Sequence, residues 1–271
     1  MEYTIENELL TLTVASHGAE MTDLRRKAAP GEPLLWDGDP AFWARHAPVL
    51  FPWCSRVEGN WFEFEGKKYE NLPQHGFNRD MEHVLVKQGK DTIRFRLDWP
   101  GDEKRFPWKF SFETVHTLRG NVVETVCTGT NTGEKPMPAQ LGFHAALRCP
   151  FTPGKGFSDY IVRFEKPEAP GKTQIFPLDA HTFDHDSTCF PDLESRWLQV
   201  EEKETGKYLR VDTQGFPYVL LWSALGCTAF VCIEPWSGFG GSGHDLAKRP
   251  GAVVLKPGES LSKTHVLTVG I

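Results

Sequence analysis

No run in the 271 residues approaches the ~20 consecutive apolar positions that a membrane-spanning helix requires, so a membrane is not an expected partner. No block of one charge sign stands out either. With 30 Lys+Arg against 36 Asp+Glu and a net charge of -6, nucleic acid and anionic lipid are also poor candidates as main partners. None of the six cysteines (Cys54, Cys127, Cys149, Cys189, Cys227, Cys232) forms a Cys-x-x-Cys pair, which argues against zinc-ribbon and thioredoxin-like chemistry and leaves free, mostly buried thiols as the expectation. No amphipathic helical stretch of about 12 residues survives the punctuation by 25 Gly and 20 Pro. The opening Met1-Glu2-Tyr3-Thr4-Ile5-Glu6 lacks the basic flank and apolar run of a signal peptide, so the expected location is cytoplasmic.

Period-two alternation is present from end to end. Ile93-Arg94-Phe95-Arg96-Leu97-Asp98-Trp99 alternates apolar with charged residues, the pattern of an antiparallel strand with one buried face. Similar segments lie at residues 8–14, 61–64, 108–118, 121–128, 161–164, 208–211, 218–222, 228–233 and 263–269. Glu65-Gly66, Arg119-Gly120-Asn121, Asn131-Thr132-Gly133 and Thr205-Gly206 supply turns between them. The expected fold is all-β: a large antiparallel sandwich, or a barrel, in one domain covering residues 1–271. The Pro/Gly stretches at 151–157 and 166–172 read as loops over a continuous sheet, because the strand-like 161–164 sits between them. Arg25-Arg26-Lys27 reads as a solvated loop.

Two motifs invite over-reading. Gly238-Phe239-Gly240-Gly241-Ser242-Gly243 has the G-x-G-x-x-G spelling, but Pro250 follows soon after and no β-α-β pattern surrounds it, so a glycine loop beside a site is the better reading. His181, Asp184, His185 and Asp186 crowd together in a loop, and no helix presents them on one face as metal ligands. No metal is expected there, although Asp186 remains a candidate for binding a polar ligand. Three segments carry more: Gln74-His75-Gly76-Phe77-Asn78-Arg79, Leu141-Gly142-Phe143-His144 and Cys232-Ile233-Glu234-Pro235-Trp236. The last stops an apolar strand at a glutamate, and Pro235 is expected to end regular pairing. By alternation Glu234 shares a face with Phe230 and Cys232, a setting that raises a carboxyl pKa by desolvation. Spacing alone does not bring the three segments together.

In combination they resemble the aldose 1-epimerase (galactose mutarotase) superfamily, most closely its bacterial LacX-like branch. The resemblance runs from His17-Gly18-Ala19-Glu20 through Trp43, Ala47-Pro48-Val49-Leu50-Phe51-Pro52 and Arg56. It continues over His75-Gly76-Phe77-Asn78-Arg79, Gly142-Phe143-His144, His185-Asp186 and Ile233-Glu234-Pro235-Trp236 to Leu255-Lys256-Pro257-Gly258-Glu259. It implies a β-sandwich with a sheet curved around an open sugar site, and it implies roles. Glu234 matches the general base that takes the proton from the anomeric hydroxyl. His144 matches the acid that protonates the ring oxygen, and His75 matches a second histidine near that oxygen. Arg56 matches a substrate-binding arginine, Asp186 the aspartate that binds sugar hydroxyls, and Arg79 a position that contacts substrate in related hexose-6-phosphate epimerases. Cys54-Ser55 depart from the branch, which commonly has glycine just before the arginine.

The chemistry so implied opens a cyclic hemiacetal. One group removes the C1 hydroxyl proton while another protonates the ring oxygen, rotation about C1–C2 exposes the other aldehyde face, and closure gives the other anomer. General acid–base help of this kind gives ~10²–10⁴-fold per group and needs no cofactor. The expected resting states are an ionised Glu234 and a protonated His144. The expected partner is thus a small aldose. Alternatives are a hexose-6-phosphate 1-epimerase, with Arg45, Arg56 and Arg79 as a cationic pocket, a carbohydrate-binding protein without catalysis, and, less well supported, a glycosidase.

Overall fold

The computed structural model describes residues 1–168 and 171–271, and its architecture is all-β as the alternation requires. A nine-stranded sheet runs in the order Thr173–Pro177, Tyr160–Glu168, Trp197–Glu202, Tyr208–Asp212, Ser260–Gly270, Val122–Asn131, Phe110–Arg119, Thr92–Trp99, Val84–Gln88. Every neighbouring pair in it is antiparallel. A second sheet is ordered Thr188–Pro191, Tyr218–Trp222, Phe230–Trp236, Gly142–Phe143, Val49–Leu50, with Ala145–Arg148 also paired to Phe230–Trp236. The chain's start forms a four-stranded sheet from Glu2–Glu6, Leu10–Ala15, Met21–Arg26 and Ala29–Pro33. Among the described residues no helix is long and apolar enough to cross a membrane.

The two large sheets share a core. Ile93, Phe95, Val123, Val162 and Leu267 of the nine-stranded sheet pack in one cluster with Ala145, Leu147, Val219, Leu221, Val231 and Ile233 of the other. Beside it, Phe51 meets Phe110 and Phe112 at ring-centroid distances of 5.1 and 4.7 Å. Burying each such side chain contributes roughly 2–3 kcal/mol, which is what fixes the registers.

Three local expectations change. Arg25 and Arg26 are not in a solvated loop but in the strand Met21–Arg26, where Arg25 pairs with Asp23 and Arg26 with Glu32. The first part of the 166–172 stretch is strand, since Tyr160–Glu168 runs through it, and residues 169 and 170 lie outside the described residues. Pro235 does not end its strand: Val219 pairs with Pro235 and Tyr218 with Trp236. On the strand's other side the neighbour changes at that point from Ala145–Arg148 to Gly142–Phe143, so the missing proline N–H falls beside a break in the ladder.

Candidate active site

The break in that ladder is where the chemistry gathers. Gly142 pairs with Trp236 and Ala145 with Ile233, a register that places His144 opposite Glu234. Cross-strand neighbours of this kind have Cβ atoms about 5 Å apart, and their side chains meet. His144 Nε2 lies 3.2 Å from Glu234 Oε2. Along the same strand Val231 and Ile233 enter the shared core, while Phe230 and Cys232 pack on the opposite face with Trp36 and Ala146. Glu234, next on that face, lines a cavity of about 550 Å³, as the alternation anticipated.

His75 arrives through a backbone contact. Phe51 bridges to Gly76, and Leu50 beside it pairs with Gly142. A Cβ on Gly76 would stand 2.0 Å from the Phe51 carbonyl oxygen, and φ there is +71°, which is why the motif has glycine after the histidine. Ser55 and His75 hold each other: the His75 N–H donates to the Ser55 carbonyl at 2.8 Å, and the Ser55 N–H donates to His75 Nδ1 at 3.0 Å. That second bond makes Nδ1 an acceptor, so the proton of the neutral ring resides on Nε2, as a hydrogen-bond donor. The rings of His75 and His144 meet edge-on at 5.6 Å. Ser55 sits at φ +62°, in the left-handed region that glycine adopts most readily. The carbonyls flanking it are held by Arg249, whose guanidinium donates to Cys54 and Arg56.

Glu234, His144, His75, Arg56, Arg79 and Asp186 all line the one cavity, so the structure brings together the whole set named from the sequence. Their settings differ. Glu234 is 1% exposed and His144 6%, whereas Arg56 and Asp186 stand exposed at the mouth. Arg79 is largely buried, donates to the Gln74 carbonyl at 2.8 Å, and is pushed down to about 10 by burial and by neighbouring Arg45. Burial works against the charge states expected for the central pair. It lifts the Glu234 carboxyl well above its ordinary range, with Asp186 adding to the rise, and pushes His144 down to about 3. His75 is driven well below the usual imidazole range by burial and by His144 and the arginines around it. The resting arrangement is therefore a neutral pair, one proton held between a carboxyl and an imidazole.

Several residues that shape the cavity have no role legible in the sequence. Trp43 stacks on His144 at 4.9 Å and Trp222 meets the same ring edge-on at 5.4 Å. The Trp43 carbonyl accepts from the Trp36 indole N–H at 2.9 Å, and further along the same loop the Glu20 carboxylate accepts the N–H groups of His46 and Ala47. Phe239, from the glycine loop, lines the cavity, and among the described residues the one helical element after it is the three-residue turn Leu246–Lys248, so no dinucleotide fold surrounds that loop. His181 pairs with Asp184 in the exposed loop, while Asp186, at φ +73°, reaches the cavity. Cys232, from the sequence only a buried thiol, does not line the cavity but lies just behind the pair. Its sulfur, a His144 nitrogen and a Glu234 oxygen lie within 4.8 Å of one another.

Two antiparallel sheets, with a carboxyl–imidazole pair on the outer face of one, define the class: an all-β protein with a buried titratable pair lining an open cavity. Comparison with known proteins narrows this. The family model described as Aldose 1-epimerase matches residues 1–268, and the chain belongs to that family. The plasmid-encoded protein LacX of Lactococcus lactis subsp. lactis is 29% identical, over 99% of both chains. Among solved structures, a galactose mutarotase related enzyme from Lactobacillus acidophilus superposes with a TM-score of 0.90 at 26% identity, covering 99% of this chain and 97% of the other. A galactose mutarotase-like protein from Lactobacillus casei, at 24% identity and a TM-score of 0.88, covers 99% of this chain and 100% of its own and shares the fold.

Proposed function

We propose that this chain is an aldose 1-epimerase that interconverts the anomers of a hexose by ring opening and closure, working as one unit over residues 1–271. The observation that carries the reading is the direct contact of Glu234 with His144 in a cavity of about 550 Å³. The anomeric hydroxyl and the ring oxygen are both bonded to C1, so the base and acid serving them must be adjacent, as these two side chains are. The single proton they hold needs only to pass from the carboxyl to the imidazole to produce the working forms. Carboxylate then takes the hydroxyl proton, and imidazolium gives one to the ring oxygen as the C1–O bond opens. His75, with its proton on Nε2, donates a hydrogen bond toward the same oxygen. Arg79 and Asp186 bind sugar hydroxyls, and Trp43 and Trp222 hold the acid's ring in place.

A second reading is favoured by one observation. Arg45, Arg56 and Arg79 line the same cavity, and among the described residues Arg56 has no carboxylate within salt-bridge distance. A hexose 6-phosphate would use such a guanidinium as its anchor. Exchange NMR on glucose, galactose and their 6-phosphates separates the two. For whichever substrate turns over, Glu234→Gln and His144→Asn are each expected to lower kcat by about 10² or more while binding persists. Retention of a tenth of kcat by either variant would remove that residue from its role. Sugar binding without faster anomer exchange would leave a carbohydrate-binding protein.

A further inference from the structure

The strand that carries the proposed base also carries a sulfur atom that the reaction does not use. Cys232 precedes Glu234 by two residues and so projects to the same face, and His144 lies across from Glu234 on the neighbouring segment. All three residues are buried, and their donor atoms fall within 4.8 Å of one another. We propose that His144 Nε2, the Cys232 sulfur and a Glu234 oxygen form a three-ligand site for a borderline-soft divalent cation, Zn²⁺ in the first instance, whose binding shuts off the acid–base pair.

The geometry is close to what such an ion needs. Zn²⁺ bonds of about 2.0–2.3 Å in a tetrahedron place donors about 3.3–3.8 Å apart. His144 and Glu234 already stand at 3.2 Å, and the sulfur, within 4.8 Å of both donors, is the atom that has to close in to complete the set. The cavity lined by His144 and Glu234 supplies both the way in and the open fourth position for water. The donor set selects the metal: imidazole with thiolate suits Zn²⁺, Co²⁺ or Cd²⁺ and disfavours the hard ions Mg²⁺ and Ca²⁺. As the S–Zn bond forms, the thiol proton leaves to solvent, and the proton held by the pair leaves with it. The bound centre, one dication with a thiolate and a carboxylate, is electrically neutral, which suits a buried place better than a lone charge. Strand pairing fixes Cys232 and Glu234, and the pairs at Gly142 and Ala145 hold His144 between them, so the site is built without any loop having to fold around the ion. The same two side chains cannot hold the metal and move protons, so occupancy and turnover exclude each other. That consequence rests on the acid–base reading above; the binding itself does not.

Two measurements on the whole protein test this. Titration calorimetry with Zn²⁺, and the near-ultraviolet thiolate-to-metal band after loading with Co²⁺, read binding without reference to any activity. One ion per chain with a thiolate band is expected, and Mg²⁺ should give no heat. Anomer exchange should fall about tenfold or more in excess Zn²⁺ and recover with chelator. Cys232→Ser should weaken both binding and inhibition at least about tenfold while turning over normally in chelator. The absence of a thiolate band in wild type, or inhibition of Cys232→Ser at the same Zn²⁺ concentration, would overturn the site. If Cys232→Ser does not fold, the wild-type cobalt spectrum alone decides. Should the protein show no epimerase activity at all, the calorimetry and the cobalt band still decide whether the metal binds.

Discussion

Two of the molecule's cavities have nearly the same size, about 550 and 590 Å³, and both combine aromatic rings with charged groups. In the larger, Phe64, Tyr69 and Trp108 are ringed by lysines and glutamates that stand in solvent and neutralise one another: Lys135 pairs with Glu65, and Lys67 with Glu103. Exposed pairs of that sort contribute about 0–1 kcal/mol and leave ordinary surface chemistry behind. In the smaller, the carboxyl and imidazoles lie under tryptophans, out of water, and their proton affinities move far from solution values. Size and aromatic lining therefore say little about which hollow works. What distinguishes the site is that the fold gives up stability to keep titratable groups where they are poorly solvated.

The largest expected effect follows from the supports behind the smaller cavity. His116 and His265 line a small internal cavity together with His144, and His83 contacts the Asn78 carbonyl in the turn that carries Arg79. Burial pushes all three of these imidazoles down to about 4. The unfolded chain protonates them near 6.5 while the native state does not. Their contribution is therefore fully present above pH 6.5 and is lost as pH falls from 6.5 toward 4. At pH 5 each is worth roughly 2 kcal/mol, so urea unfolding at pH 5 and pH 7.5 should differ by several kcal/mol. His181, exposed beside Asp184, is raised instead, and its smaller contribution has the opposite sign. Equal stability at the two pH values would mean that water reaches the buried rings, and the contrast between the cavities would fail.

Next in size is a matched pair of glycine substitutions. Gly66, beside the solvent-facing cavity, and Gly76, behind His75, have φ of +74° and +71°. An added methyl at Gly66 meets nothing within 4 Å; at Gly76 it meets backbone at 2.0 Å. Gly66→Ala should cost about 1 kcal/mol, the strain of a left-handed alanine, and Gly76→Ala more than about 3 kcal/mol. Denaturant unfolding of the two variants side by side reads the difference. Similar losses would show that the His75 turn is not pinned against Phe51.

The fold class was legible because alternation is a local signal: each of Ile93, Phe95 and Leu97 announces its own buried face. Two of the strands that escaped notice did so for different reasons: Met21–Arg26 has weak alternation, with Arg25 and Arg26 side by side, whereas Glu2–Glu6 alternates but over only five residues with a single buried one, Ile5. Glu234, His144 and His75 were legible as a set only through resemblance to a family. Their meeting depends on pairings that join Phe51 to Gly76, Gly142 to Trp236 and Ala145 to Ile233, and no local pattern encodes a register between separated strands. Trp222 and Cys232 were missed for the same reason. Each reads as an ordinary core residue until the pairing of Trp222 with Cys232 sets them beside Glu234 and His144. The direction of the proton affinities was half legible: alternation placed Glu234 against apolar neighbours, yet nothing in the chain's order disclosed that the same burial would also discharge His144.

The smallest effect tests whether the site is held under strain. Burial raises the Glu234 carboxyl, so above its unfolded value of 4.5 the folded chain keeps a proton that the unfolded chain has released. Its stabilising contribution is complete below pH 4.5 and declines as pH rises toward the folded value, so native Glu234 is a liability at neutral and alkaline pH. Glutamine has nearly the same shape and never ionises. Glu234→Gln should therefore be more stable than wild type by about 1 kcal/mol at pH 8, with the gain shrinking toward pH 4.5, even as it loses turnover. Glu65→Gln, at the other cavity, gives up one exposed pair with Lys135 and should shift stability by less than about 0.5 kcal/mol, with no gain at high pH. A stabilised, inactive Glu234→Gln beside an unchanged Glu65→Gln would locate the molecule's strain in the acid–base pair. A destabilised Glu234→Gln would mean instead that the carboxylate is well solvated or well paired, and that this hollow is no more strained than its neighbour.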